Sequence, residues 1–417
     1  MTMGLLILLS LLVEVGVLLY LEVKAWNTFF SPLVFLMLPY VAVLFVTIAI
    51  AGRMGFVDFY YPTILYWSVG LFIFAIPSYI LGFAMQKNGK PVRTPIDDGN
   101  GLSKAVIALT VVMCLAFLYR LKQTLGSSGA SLGSDDFGMD FDGHGLWAHL
   151  SKINSVLLIL CIYFYDRQRR WLWIPILLLV FFAFIHQVKG WVILPCVAGL
   201  SMRLYSGKTK LTGKLLLWVL VGAIMVFLIS YIMSLVLGGD VELSGTVIGF
   251  IFRHFVHYLT SGTFGLSMDA VAGYPDRGSF EVLYAHIVNI INLITGNGNE
   301  LVTPVNPVFF YNGINYTNTR TLFGTMAVFS NGFQFVGATL FLSLVTYLLK
   351  VFAIKFNNVY INVILFYQCA MLSMGWFDYY FAQLDSLEVP VMTLIIMAVA
   401  FMLDPSKDKV YETQTAS

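Results

Sequence analysis

Apolar runs of about 20 residues recur along the whole chain, the length that crosses the hydrocarbon core of a bilayer. No other feature constrains the fold as much. In lipid, every backbone N–H and C=O must find its partner inside the segment or in a closed barrel. The period-two alternation of barrel strands is absent. The expected fold is therefore all-α: a polytopic membrane bundle. Composition agrees, since 11% of the 417 residues are charged and 59% are hydrophobic, against about 25% charged in soluble domains.

Eleven spans are expected, at 4–22, 29–50, 63–86, 104–121, 150–165, 171–187, 190–205, 215–238, 324–349, 359–376 and 387–403. They divide the chain into three parts. Residues 1–238 hold the first eight spans and an acidic outer loop, 123–149. Residues 239–323 form one large extracytoplasmic loop with amphipathic helices. Residues 324–417 hold the last three spans and a cytoplasmic tail. The first run lacks a basic stretch before it and a small-residue cleavage site after it, so it reads as a retained span. Prolines within spans (Pro39, Pro77, Pro175, Pro195, Pro390) are ordinary for membrane helices.

Orientation follows from lysine and arginine. With the loop carrying Lys87, Lys90 and Arg93 inside, 16 of the 24 basic residues fall on the cytoplasmic side. The N-terminus is then outside, the C-terminus inside, and the long loop outside. Basic residues are scattered singly, which gives no footprint for nucleic acid. The four cysteines all lie in apolar runs and read as small buried hydrophobes, without disulfide or metal spacing. No internal repeat and no matched pair of broken helices is visible, which argues against an inverted-repeat transporter.

Chemistry is expected in the stretch 239–331, which is too rich in aromatic and β-branched residues to be disordered. Its sharpest signal is Thr246–Thr260. At 100° per residue, Thr246, Arg253, His257 and Thr260 fall within about 60° of one another, and His254 lies at the edge of that stripe. This predicts an interfacial or re-entrant helix with one narrow polar face. Arginine and histidine together suit an anion: one holds a fixed charge, the other exchanges a proton near neutral pH. The bland alternative is a snorkelling arginine beside packing histidines. A second amphipathic stretch, Glu281–Gly296, gathers Glu281, His286, Asn289 and Asn292 in an arc of about 140°, and amides and carboxylates suit sugar hydroxyls. The polar run Asn312–Asn331 delivers one charge, Arg320, just above the next span, where it would suit a phosphate.

Two further stretches lie on the same face. The hairpin His186–Trp191 puts Lys189 at the outer boundary with His186 just inside. The loop Gln123–His149 begins with glycine and serine and then turns acidic. Its Asp140 and Asp142 have the spacing of two calcium-loop ligands without the others. It reads as a solvated, mobile loop or a lid.

The span number, the large outward loop, the basic hairpin and the run Thr319-Arg320-Thr321-Leu322-Phe323-Gly324 into Ser330-Asn331-Gly332 resemble the bacterial oligosaccharide repeat-unit polymerases. These are the Wzy-type O-antigen and capsular polymerases. The hairpin departs from that pattern in carrying Lys189 in place of arginine. The resemblance implies an inner-membrane glycosyltransferase acting at the outer leaflet. Its donor and acceptor would be oligosaccharides on undecaprenyl pyrophosphate. It implies catalytic roles for Arg253, His254, His257 and Arg320. Substrate binding would fall to Lys189, Arg120, Arg277, His286, Asn289 and Asn318. No cofactor and no metal is implied, because arginines would stabilise the pyrophosphate. The implied partners are the lipid-linked oligosaccharide and membrane lipid, with a chain-length regulator and a flippase as further ones. The related O-antigen ligase and a lipid-linked oligosaccharide flippase are the alternatives. Enzymes with lipid-monophosphate donors fit less well, because the first outward stretches hold one carboxylate, Asp58. Few ionisable residues lie deep in the spans, which weighs against an ion-coupled transporter.

A reporter fused after Gly298 is expected to read outside the cytoplasm. A cytoplasmic signal would invert the whole topology.

Overall fold

A computed structural model describes residues 3–89, 96, 102–129, 134–142, 145–186, 189–232, 245–273, 278–296 and 301–403. The protein is an all-α membrane protein. Seven described helices, or helical stretches, have the length and apolarity of a membrane span: Met3–Trp26, Pro32–Ile50, Tyr61–Lys87, Lys104–Ser127, Trp147–Phe164, Gly332–Phe356 and Asp385–Leu403. The other four expected spans, 171–187, 190–205, 215–238 and 359–376, correspond to shorter apolar helices in the described residues.

In chain order the α-helices are α1 Met3–Trp26, α2 Pro32–Ile50, α3 Ile64–Lys87, α4 Lys104–Ser127, α5 Asp135–Asp142, α6 Leu146–Ser151 and α7 Ile153–Phe164. There follow α8 Trp173–Ile185, α9 Lys189–Tyr205, α10 Gly213–Ile232, α11 Gly245–Val271 and α12 Ala285–Thr295. The last are α13 Leu322–Val328, α14 Gly332–Phe356, α15 Val359–Ser373 and α16 Asp385–Leu403. One two-residue hairpin, β1 Phe310–Tyr311 with β2 Tyr316–Thr317, pairs Phe310 with Thr317 and Tyr311 with Tyr316.

One expectation is corrected here, and two stretches gain detail. The stretch 239–323 carries a long helix, α11, of 27 residues. The polar stripe at 246–260 is the first half of that helix, and nothing breaks it, because no proline follows before Pro275. The expected span 324–349 is interrupted after α13. Asn331 then caps α14 reciprocally with Gln334, each backbone N–H meeting the other's side-chain oxygen at 3.0 Å. The acidic loop 123–149 contains α5 and α6. Arg120 holds the C-terminal end of α5 by donating to the carbonyls of Asp140 (2.5 Å) and Phe141 (3.2 Å), as a cation does at a helix C-terminus.

The chain divides into two compact units. The first takes 1–94, 249–355 and 368–386, and the second takes 95–248, 356–367 and 387–417. In the first, Trp67 organises the core. It stacks on Tyr40 at 3.5 Å between ring centroids and meets the edge of Phe323 at 4.9 Å. Its indole N–H donates to Thr321 Oγ1 at 2.9 Å. Gly70 makes this possible, because a Cβ there would lie 2.5 Å from the Phe323 ring. In the second unit, buried Phe117, Phe137, Phe141 and Phe182 pack α4, α5 and α8 together.

The first unit also buries charge among its spans. Glu22 accepts hydrogen bonds from the Ser78 hydroxyl (2.6 Å) and the Tyr347 hydroxyl (2.7 Å). The Trp26 indole donates to Ser78 Oγ at 2.8 Å. The Lys350 ammonium lies 4.1 Å from the Trp26 ring centroid, buried, with no hydrogen-bond partner among the described residues. Opposite charges in one dry cluster hold each other in place. Glu22→Gln and Lys350→Met are each expected to lower the melting temperature of the detergent-solubilised chain, and the double variant to recover most of the loss. Additive losses would show that the two charges are independent.

Candidate functional site

Helix α11 and the segment 306–321, which contains the β1–β2 hairpin, are in contact in the first unit. Their contacts follow one ridge of the helix at four-residue spacing: His257, Ser261, Gly265 and Asp269. At the first step, Asn312 Nδ2 meets His257 Nδ1 at 2.8 Å. At the second, Thr319 Oγ1 meets Ser261 Oγ at 3.0 Å. At the third, Gly265 leaves room for the Thr319 carbonyl and the Arg320 guanidinium; a Cβ there would lie 2.7 Å from Arg320 Nη1. Gly262 does the same for the loop 376–377, since a Cβ would lie 2.6 Å from the Trp376 carbonyl oxygen. At the fourth step, Arg320 grips Asp269.

That grip is bidentate. Arg320 Nε donates to Asp269 Oδ2, and Nη2 donates to Oδ1 at 3.1 Å. Nη1 donates to the Thr319 carbonyl at 2.9 Å and Nη2 also to the Val308 carbonyl at 3.3 Å. The guanidinium carbon lies 5.2 Å from the Phe310 ring centroid. Arg320 is 0% exposed. Burial raises the Asp269 carboxyl above its usual range, and the bound guanidinium pulls it back down. Close by in charge, Asp378 is pushed up to about 7, again by burial, with the Tyr379 N–H and Arg320 opposing. The expectation of an outward-facing phosphate ligand at Arg320 is therefore corrected. The arginine is an interior clamp, and Asp269 lies twelve residues past His257, about 18 Å along the helix axis.

At the other end of the ridge the histidines do come together. The His254 and His257 rings are 5.4 Å apart, and His254 also lies 5.4 Å from Phe250 and from Tyr258. Arg253 is exposed, His254 half-buried and His257 buried. Asn312 fixes the His257 tautomer. The amide oxygen of Asn312 already accepts from the backbone N–H groups of Ile314 and Asn315, each at 3.1 Å. Its Nδ2 must then donate to His257 Nδ1, which leaves the ring proton on Nε2. Burial lowers the His257 pKa and keeps the ring neutral. Gly313, with φ +99°, turns the hairpin tip against Gly55, and Val57 N–H donates to the Asn312 carbonyl at 3.1 Å.

The remaining expected site residues are spread out. His286 is buried and meets the Ala382 carbonyl through Nδ1 at 3.2 Å, with its pKa lowered by burial. Asn289 clamps the backbone of Val302, donating to its carbonyl (2.9 Å) and accepting from its N–H (2.8 Å). Asn318 donates to the Asn306 carbonyl at 3.1 Å. These two amides hold the segment 302–318 in shape and are committed to backbone. Arg120 belongs to the second unit, in the role given above. Lys189 opens α9, but its side chain lies outside the description, as does that of Thr246. Arg277 lies outside the described residues.

Asp269, Asn312 and Asp378 were not expected. Asp269 left one sequence signal: it is the only Asp, Glu, Lys or Arg between Arg253 and Asp276, as Arg320 is between Glu300 and Lys350. Nothing in the spacing of Asn312 or Asp378 points to their partners.

Beyond the Asp269 end of the ridge is a cavity of about 640 Å³. Its lining includes Tyr60, Ser330 and Asn331 together with Tyr66, Val69 and Phe335, the last three from stretches that belong to two of the membrane spans.

Removing one partner of the clamp leaves an unpaired buried charge. Asp269→Ala or Arg320→Ala is expected to cost about 3–5 kcal/mol, read as a lower melting temperature and loss of protein from the membrane fraction. Replacing both, Asp269→Leu with Arg320→Met, is expected to be milder than either. Full stability of Arg320→Ala would show that the clamp holds nothing together.

Residues 55–405 match the profile of a protein family described as a family of unknown function (DUF6337). No curated protein and no solved structure matches the chain.

Proposed function

For this chain, which belongs to the DUF6337 family of unknown function, we propose glycosyl transfer between lipid-linked oligosaccharides, the repeat-unit polymerase reaction. The reaction would run at the outer leaflet of a bacterial inner membrane. The observation that carries the reading is the start of the α11 ridge: exposed Arg253 beside half-buried His254, which rests on His257, itself fixed by Asn312.

In the proposed reaction a hydroxyl oxygen of the acceptor attacks the anomeric carbon of the donor glycan. The bond between that carbon and the pyrophosphate oxygen breaks, and lipid pyrophosphate leaves with the electron pair. His254 takes the acceptor proton as the general base. His257 offers an N–H from Nε2, as a hydrogen-bond donor and not a base. Arg253 meets the negative charge that builds on the leaving pyrophosphate. Arg320 and Asp269 act at a distance by keeping the segment that carries Asn312 against the helix. The mostly apolar lining of the cavity at the far end suits the isoprenoid tail of the lipid carrier.

A flippase is the second reading, and the buried Glu22–Lys350 cluster favours it, because ionisable groups inside spans often mark transport pathways. A gel of surface glycan from a deletion strain separates the classes. Loss of long chains with a single-repeat product remaining is the expected result. Free polymer with none on its final acceptor would mean a ligase. Repeat units trapped on the cytoplasmic leaflet would mean a flippase. Arg253→Ala and His254→Ala are expected to reproduce the deletion pattern with normal protein levels, and wild-type ladders from both would remove this site from the reaction.

A further inference from the structure

Helix α12 is built the wrong way round for water. Ile287, Ile290, Ile291 and Ile294 recur at i, i+3, i+4 and i+7, one stripe within about 100° of arc. On the surface of a soluble protein such a stripe turns to the core. Here all four are exposed, and so is Leu293: Leu293 is 81% exposed, Ile294 78% and Ile291 53%. The polar side chains turn inward instead. Asn289 and Asn292 lie on the opposite side of the helix, half-buried. Asn289 is tied to the backbone of Val302, and His286 to the Ala382 carbonyl. Thr295, at the exposed end, turns its hydroxyl back to the Ile291 carbonyl at 2.9 Å. Polar groups tied within the protein, with apolar groups turned out, are what hydrocarbon demands of a helix and the reverse of what water favours.

The neighbouring span says what covers the stripe. The Tyr284 ring, at the entry to α12, lies 6.1 Å from the Phe341 ring of α14, edge to face. Phe341 is nine residues past Gly332, roughly 13 Å along that 25-residue helix. Helix α12 thus starts beside the body of a membrane span and not beyond its end. Phe341, Leu344, Val345 and Leu348 of that span are exposed, and on a membrane span such side chains face lipid. Helix α12 joins this lipid-facing surface at Phe341. Charge argues the same way. Residues 278–319 contain no lysine or arginine, so nothing there seeks anionic headgroups. With 11 residues, about 16 Å of helix, α12 is too short to cross a hydrocarbon core about 30 Å thick.

We propose that α12 is a membrane-seated helix, with its isoleucine stripe and Leu293 buried in the hydrocarbon of the leaflet at the N-terminal end of α14. The partner is the lipid bilayer itself, met through its acyl chains. This seat stands whatever reaction the chain performs. Its consequence for the first unit is one of level. Asn289 holds Val302, and Asn312 follows ten residues later, so the seat sets how far from the membrane the hairpin that fixes His257 stands.

The test is spin-label accessibility on the full chain in phosphatidylcholine vesicles. Ile287→Cys, Ile291→Cys and Ile294→Cys are labelled with a nitroxide one at a time. Arg53→Cys, at the exposed turn after α2, is the water-facing reference. The wild-type chain, labelled in parallel, gives the background of its own four cysteines. Oxygen concentrates in hydrocarbon and a nickel chelate in water. Collisions with oxygen are expected to exceed those with the chelate at the three isoleucine positions, and the order to invert at Arg53. Leu293→Cys, at the most exposed of these side chains, supplies the same reading where another variant does not fold. Signals dominated by the chelate along the stripe would overturn the proposal and put α12 in water. Low collision with both reagents would also overturn it, and would mean that a second copy or another protein covers the helix.

Discussion

The Arg320–Asp269 pair is the interaction on which the first unit's site depends. A guanidinium that is 0% exposed has lost all of its water, and a bidentate carboxylate is what makes that tolerable. The pair fastens an extended segment to a helix at one end of a ridge. Asn312 fastens the same segment to the same helix at the other end, through His257. Two glycines between them, Gly262 and Gly265, let backbone approach where side chains would forbid it. The clamp is thus an alignment device: with both ends tied, the tautomer of a histidine three turns away is decided by a hairpin turn.

The histidine pair owes its asymmetry to that alignment. His254 and His257 are similar in sequence context, each within an apolar run next to aromatic residues. One is half-buried, and the other is buried with Nδ1 committed to an amide. Two imidazoles in contact with different exposure and different hydrogen bonding can serve as acceptor and donor without competing for the same proton. The second unit solves a different problem. Its acidic loop folds into helices capped by Arg120 and floored by phenylalanines. The carboxylate of Asp142 is thereby brought to the buried imidazole of His186, with Oδ1 3.7 Å from Nδ1.

Much of the fold was legible because lipid leaves little choice. Apolar runs must be helices, and α2, α3 and α16 begin and end within three residues of the expected bounds, while α1 and α4 start within one residue of theirs and run four and six residues further. The misreadings have one cause. Periodicity describes which residues share a face but not what covers that face. The stripe at Arg253, His257 and Thr260 was visible, yet the contact ridge runs through His257, Ser261, Gly265 and Asp269, because the partners are the turn of a hairpin, at Asn312, and the residues that follow its second strand, Thr319 and Arg320. Asn289 and Asn318 have the chemistry of sugar ligands, and the fold uses that chemistry on backbone groups.

The sequence by itself determined an all-α membrane protein, its main helices, and the stretch in which charged and polar residues gather. Those properties follow from local hydrophobicity, which each segment carries on its own. Only the tertiary structure decided that Arg320 belongs to Asp269, that Asn312 sets the tautomer of His257, and that Asp142 faces His186. A pairing depends on where two segments meet. It is fixed by packing around glycines and aromatic rings, and by the cost of leaving a buried charge or polar atom unpaired.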